Sequence, residues 1–391
     1  MSRYHPNWLA EHGMSEFEFL KPKLDGARFE DHAIPLDFLK DLAVFEEFVI
    51  SVAKSEWLKD HPTRKRTPRG FMSGVTVKLK QVDEGSAVPV LTAYIATTTA
   101  LLPNAIPPQR EYLERARARI VGAVAAAQEG GNPTDHLPAK ALAYFDRFGR
   151  GLRDGESISF NRDMGIAPAR LTPQSRRKLV LAVPGVQYIT DDALRRGSVV
   201  DTNDADGTFT IRLAAGQELQ APLPPVHRDT ILDAQKDAPD GVRVAVRGIA
   251  RFNRSNKLVR FEDVEDVTPL EPLDVPSRLD ELQLLKMGWL NGGGQALDAP
   301  SLDKLSQFFT TFYPSELPLP YTFPTETGGI QFEWRINDAS PEIEIDLASF
   351  RGEWLSDAEE ATIDLTSAQG WKDLASRIAV LAGVSENGKP A

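Results

Sequence analysis

Cysteine is absent from this chain. That excludes disulfides, thiolate nucleophiles, iron–sulfur clusters and cysteine-ligated zinc. Histidine is sparse: His5, His12, His32, His61, His136 and His227 are scattered, with no HxxxH or HxH pair, so a histidine-built metal site is not supported. No stretch approaches the roughly 18 uninterrupted apolar residues of a membrane span. The opening Met1-Ser2-Arg3-Tyr4-His5-Pro6-Asn7-Trp8 lacks the apolar core of a signal peptide. A cytoplasmic protein without a membrane partner is expected. Motifs of catalysis are missing too, with no GxSxG elbow, no kinase set and no GxGxxG after a strand. Gly292-Gly293-Gly294 is not followed by the Lys-Ser/Thr of a P-loop and reads as a flexible turn. No catalytic residue, metal or cofactor is assigned, although an active site assembled from residues distant in sequence stays open.

What is present is an uneven charge. Residues 273–391 hold 19 Asp+Glu and 8 Lys+Arg, a net of -11, which is also the net charge of all 391 residues. The first 272 residues therefore sum to zero, and a segregated acidic segment points to recognition of something basic more readily than to catalysis. At 391 residues, with 41% hydrophobic and 26% charged residues, the chain suits two to three domains of ordinary composition.

The periodicities give an α+β fold in three domains. Residues 1–30 read as an N-terminal arm, aromatic and charged without period. Residues 31–189 read as an α+β domain. It opens on a helix over Leu36–Leu58, with Leu39, Leu42, Ala43, Phe45, Phe48, Val49, Val52 and Ala53 at helical spacing. Strands follow at Val75–Lys80 and Ala87–Ile95 around Asp83-Glu84-Gly85-Ser86. A second helix covers Pro107–Gln128, with shorter elements at Pro138–Arg147, Glu156–Phe160 and Thr172–Val183. Residues 190–272 change to short strands around one helix (Thr230–Ala238), the pattern of a small OB-like β-barrel. Pro269–Pro276 reads as a linker. Residues 273–391 are then an acidic α+β domain with an antiparallel hairpin, closed by a helix that Thr366-Ser367-Ala368-Gln369 would open as a capping box.

The hairpin is the sharpest local pattern. Alternation along a strand puts Ile330, Phe332, Trp334 and Ile336 on one face and Gln331, Glu333 and Arg335 on the other. Ile343, Ile345 and Leu347 oppose Glu342, Glu344 and Asp346 in the same way. A turn over Ile336–Pro341 would set Arg335 across from Glu342, an attractive pair, and Glu333 across from Glu344, a repulsive one. The acidic face has three readings: a solvated surface, a docking surface for a basic protein through Glu333, Arg335, Glu342, Glu344 and Asp346, and a hard-cation site. A nucleic-acid alternative rests on two basic groups. The first is the loop carrying Arg64, Lys65, Arg66 and Arg69, and the second is the stripe Arg243, Arg247 and Arg251 with Phe209, Phe252 and Phe261 as stacking candidates. A solvated loop and core phenylalanines are the plainer readings of both.

Three stretches carry a resemblance. They are the basic loop, strand and Gly-Ser turn of Arg64–Val90; Gly197-Ser198-Val199-Val200-Asp201 ahead of Phe209 with Val244-Ala245-Val246-Arg247-Gly248; and Gly288–Gly294 followed by Leu319–Trp334. In these the chain resembles a group of bacterial multidomain proteins, and the third stretch also looks like a module of short stand-alone bacterial proteins. Members look like accessory-gene products of the kind seen beside toxin or defence genes. The resemblance implies an antitoxin-like or defence-accessory role and brings no active-site residues with it; the segregated charge and the acidic hairpin point to a non-enzymatic binding protein.

Overall fold

The computed structural model describes residues 14–29, 33–83, 87–96, 108–153, 155–160 and 169–383. The chain is mixed α and β and divides into two compact units. One comprises Met1–Asp192 with Ala250–Val259, the other Ala193–Ile249 with Arg260–Ala391. The boundary expected between residues 272 and 273 thus falls inside the second unit.

The first unit begins with β1 (Met14–Leu20) and β2 (Lys23–Asp25). Residues 14–29 are therefore packed structure, not the loose arm expected from their composition; Phe19, Leu24 and Phe29 are fully buried. The burial of three large apolar groups outweighs the absence of a regular period. Residues 1–13 lie outside the described residues. Helix α1 (Leu39–Asp60) buries Phe45, Phe48, Val49, Val52, Ala53 and Trp57, but the expected Leu39 and Ala43 face outward. β3 (Val75–Asp83) and β4 (Val88–Ala96) form an antiparallel pair in the sheet order β1-β4-β3; the turn at residues 84–86 lies outside the described residues. Helix α2 (Pro108–Glu129) packs on α1. After the short α3 (Ala139–Leu142), β5 (Ser157–Phe160) and β6 (Ala169–Leu171) join β2 in a second antiparallel sheet. Helix α4 (Pro173–Leu181) starts on a capping box formed by Thr172 and Ser175. The core between them is rich in phenylalanine: Phe45 and Phe148 lie 5.1 Å apart and Phe48 and Phe145 5.0 Å.

A curled half-barrel, most of it in the second unit, is built from β7 (Tyr188–Asn203), β8 (Thr208–Leu213), β9 (Glu218–Pro222), β10 (Val244–Asn253) and β11 (Leu258–Pro269), with α5 (Arg228–Asp237) between β9 and β10. Its sheet order is β11-β10-β7-β8-β9. The alternation read from the sequence sends Val199, Phe209, Ile211, Leu219, Val244, Val246 and Phe261 into its core. The three-proline stretch after it is not an open linker. β11 runs to Pro269, Asp274 caps the next helix through Ser277 N–H at 2.7 Å, and Val275 is fully buried.

That helix is α6 (Val275–Leu282), followed by α7 (Ala299–Phe312). The glycine-rich turn between them is closed by Gly288 N–H donating to Gly294 O and Leu290 N–H to Gly293 O. A five-stranded antiparallel meander comes next: β12 (Tyr321–Pro324), β13 (Ile330–Glu333), β14 (Glu342–Ile345), β15 (Arg351–Leu355) and β16 (Glu360–Asp364). Helix α8 (Ala368–Ala382) ends it. The proline-rich stretch of residues 314–324 thus ends in an edge strand, the position a sheet allows to proline. Ser367, not Thr366, is the N-cap of α8: its hydroxyl accepts Gly370 N–H at 3.2 Å, while Thr366 bonds Asp364. Three tryptophans, Trp334, Trp354 and Trp371, are buried under the sheet. The Trp334 indole N–H donates to Tyr313 Oη and Pro318 O, both at 3.1 Å.

Candidate interaction surface

The meander brings together more acid than the hairpin alone carries. Ile336 bridges Ala339 and Trp334 N–H donates to Pro341 O, so the turn is the two residues Asn337-Asp338. Asn337 sits at φ 54°, a conformation Asn adopts more readily than most residues and one that two-residue hairpins require. The register therefore differs by two residues from that of a six-residue turn: Glu333 faces Glu342, and Gln331 faces Glu344. The expected Arg335–Glu342 pair does not form. Arg335 turns back instead and lies over the Tyr321 ring, 5.1 Å from its centroid.

Beyond the hairpin, β15 presents Glu353 directly across from Glu344. Two like-charge pairs, Glu333–Glu342 and Glu344–Glu353, therefore sit side by side on the outer face, where each is unfavourable by about 0.2–1 kcal/mol. Relief is partial. The Gln331 amide donates to Glu342 Oε2 at 2.8 Å, and the Thr362 hydroxyl donates to Glu353 at 3.1 Å. Among the described residues no cation pairs with Glu333 or Glu344. Tyr321 and Phe323 from β12 and Leu355 from β15 flank these acids and are 36%, 39% and 44% exposed. The face is thus a carboxylate field bordered by apolar groups.

Asp346 belongs to the turn after β14. Its carboxylate accepts Ser349 N–H and Ser349 Oγ–H, each at 2.7 Å, and these bonds hold it below the usual carboxylate range. Among the described residues no group of three or more His, Asp or Glu converges to hold a metal ion, so the hard-cation reading of Glu333, Glu344 and Asp346 has no geometric support.

The basic residues of the alternative reading are placed as follows. Arg64, Lys65, Arg66 and Arg69 are exposed in the loop after α1 of the first unit. On β10, Val244, Val246, Gly248 and Ala250 are buried, and Arg247 and Arg251 occupy the opposite face. Arg251 lies over Tyr188 at 5.3 Å. Arg243, just before β10, pairs with Glu281 and donates to Ser277 Oγ at 3.0 Å. Phe209 and Phe261 are core, 1% and 2% exposed. The tip of the β10–β11 hairpin belongs to the first unit. There Arg177 donates to Asn256 Oδ1, Asn253 O and Arg254 O at 2.6–2.9 Å, and Arg254 donates to Val186 O at 2.8 Å.

One group escapes the sequence pattern altogether. Asp41 of α1 is 4% exposed and accepts Gly149 N–H at 2.6 Å and Gly151 N–H at 3.1 Å. Burial pushes its carboxyl up to about 6, against the opposing pull of those amides and of the Arg176 guanidinium. Around it, Arg176 donates to Phe145 O and Asp146 O, and Arg28 clasps Glu156 while donating to Gly151 O at 2.7 Å. The only sign in the sequence is that Asp41 lies four residues before Phe45 and seven before Phe48, on the buried stripe.

Among the helices of the described residues none is long and apolar enough to cross a membrane. Comparison with known proteins finds no matching family model, no matching curated protein and no matching solved structure.

Proposed function

We propose that the chain is a non-enzymatic binding protein whose acidic sheet face docks a basic protein partner, in an antitoxin-like or defence-accessory role. The observation that carries this is the outer face of the meander. Glu333, Glu342, Glu344 and Glu353 are crowded into two adjacent like-charge pairs, with no cation paired to Glu333 or Glu344 among the described residues, beside exposed Tyr321, Phe323 and Leu355. A sheet serving solubility alone gains nothing from placing like charges opposite one another. A partner with Lys or Arg between the rows relieves the repulsion and covers the apolar border, and the field speeds its approach.

The test is affinity capture on the full chain against the variant Glu333→Lys with Glu344→Lys, at low and high salt. A basic protein held by the native chain, released by salt and absent from the variant supports the proposal. Equal capture by both chains overturns it.

The half-barrel supports a second reading. Its strand order, with a helix between the third and fourth strands, supports reading it as OB-like, and OB-like modules bind single strands. Against this stand the burial of Phe209 and Phe261 and the hairpin tip already occupied by Arg177 and Arg254. Anisotropy of a labelled oligothymidylate at low salt decides. Binding weakened by Arg247→Ala and steeply reduced by salt would move the function to this module.

A further inference from the structure

The second unit carries a cleft that the acidic face does not use. It encloses about 520 Å³ between β7, the end of β8, the end of α5 and α6, a size typical of small-molecule sites, roughly 300–1,000 Å³. Three guanidiniums from separate stretches of chain line it: Arg196, Arg212 and Arg243. β7 and β8 approach closely at Gly197, where a Cβ would come within 2.5 Å of Arg212 O.

Each guanidinium presently faces a carboxylate of its own chain. Arg196 is 3.4 Å from Asp280 and 3.9 Å from Asp274. Arg243 pairs with Glu281, and Arg212 pairs with Glu218 at 2.8 Å. The Arg196 contacts are long for charge-assisted bonds, which run about 2.7–2.9 Å. Burial raises the Asp280 carboxyl above its ordinary range despite Arg196 beside it, so negative charge held on that side chain is poorly stabilised. The cleft also offers the Ser277 hydroxyl, and Val200, Ala238 and Pro239 give it an apolar wall.

We infer that this cleft binds a small phosphate-bearing anion, a diphosphate or a nucleoside diphosphate, with Arg196, Arg212 and Arg243 as its anchors and Asp280 and Glu281 as internal competitors that the ligand displaces. A phosphate group presents several oxygens and up to two charges, and can bridge guanidiniums that one carboxylate satisfies singly. Arginine, with its planar fork of donors, is the side chain suited to that geometry.

The experiment is isothermal titration of the full chain with inorganic pyrophosphate and, separately, with ADP, at low and high salt. The wild type, Arg243→Gln, Arg212→Gln and Glu281→Gln are compared, with melting temperatures as a folding control. Binding that salt weakens, that falls about tenfold or more in Arg243→Gln and that tightens severalfold in Glu281→Gln is expected. The gain in Glu281→Gln separates a competitor from a structural latch, because breaking a latch lowers only the melting temperature. Should Arg243→Gln fail to fold, Arg212→Gln carries the same test from a half-exposed position. ADP binding more tightly than pyrophosphate places a nucleoside against the apolar wall, and equal binding assigns the site to the inorganic anion. No heat from wild type or Glu281→Gln at millimolar ligand, or heat unchanged in both arginine variants, overturns the inference.

Discussion

At the scale of single residues, the most consequential group is Asp41. Its two amide bonds fix residues 149–151, where Gly151 has no room for a side chain because a Cβ would meet Asp41 Oδ2 at 2.6 Å. Removing the acceptor in Asp41→Ala leaves two buried N–H groups unpaired, and denaturant unfolding is expected to show a loss of about 2–4 kcal/mol at neutral pH. The linkage has a definite sign. A carboxyl whose pKa rises on folding from 3.8 to about 6 binds more protons folded than unfolded between those values. Its contribution is fully present below the unfolded pKa and is lost as pH rises through the folded one. The stability gap between wild type and Asp41→Asn should therefore narrow by up to about 3 kcal/mol between pH 4 and pH 7. A gap that widens over that range would show that the amide bonds, not burial, dominate this carboxyl.

At the scale of elements, the hairpin register decides which acids meet. Because Glu333 faces Glu342, Glu342→Lys should turn a repulsive pair into an attractive one, with a coupling to Glu333 of about 0.5–1 kcal/mol in a double-mutant cycle. The diagonal pair Glu333 and Glu344 should couple less; the reverse order would restore the six-residue turn. Asn337 fixes that register through its positive φ. Asn337→Val is expected to destabilise by about 1–2 kcal/mol, and Asn337→Gly by less, retaining the turn while losing the Asn337 amide bond to Leu381 O. At the start of α8, Ser367→Ala should lower stability by about 1 kcal/mol through loss of the cap. Thermal melts of these variants check both elements.

At the scale of the whole molecule, most of the half-barrel shares a compact unit with the acidic meander. Arg196 and Arg243 of the barrel hold Asp280 and Glu281 of α6, and Val275 sits in the core beneath the meander. Calorimetry should accordingly resolve two cooperative transitions at most, not three. A chain ending at Asp274 should leave a barrel that melts lower than it does in the full protein, because it takes Glu281 from Arg243 and Asp280 from Arg196.

The sequence alone determined the local elements. Phe45, Phe48, Val49 and Val52 announced α1 by their spacing, and the alternation of Ile330, Phe332 and Trp334 against Glu333 announced the two faces of β13, because side-chain direction follows backbone period. It determined the segregation of charge for the same reason: composition needs no partner. The tertiary structure decided the rest. Residues 14–29 lack a period, and only contact with the phenylalanine core gives them a fold. Glu353 joins the acidic field through strand pairing across the sheet, and Asp41 is buried by what α1 packs against. The three arginines of the cleft come from stretches up to 47 residues apart. Pairing register, burial of a lone charge and convergence of distant side chains are set by non-local contacts, and no window of sequence contains both partners of such a contact.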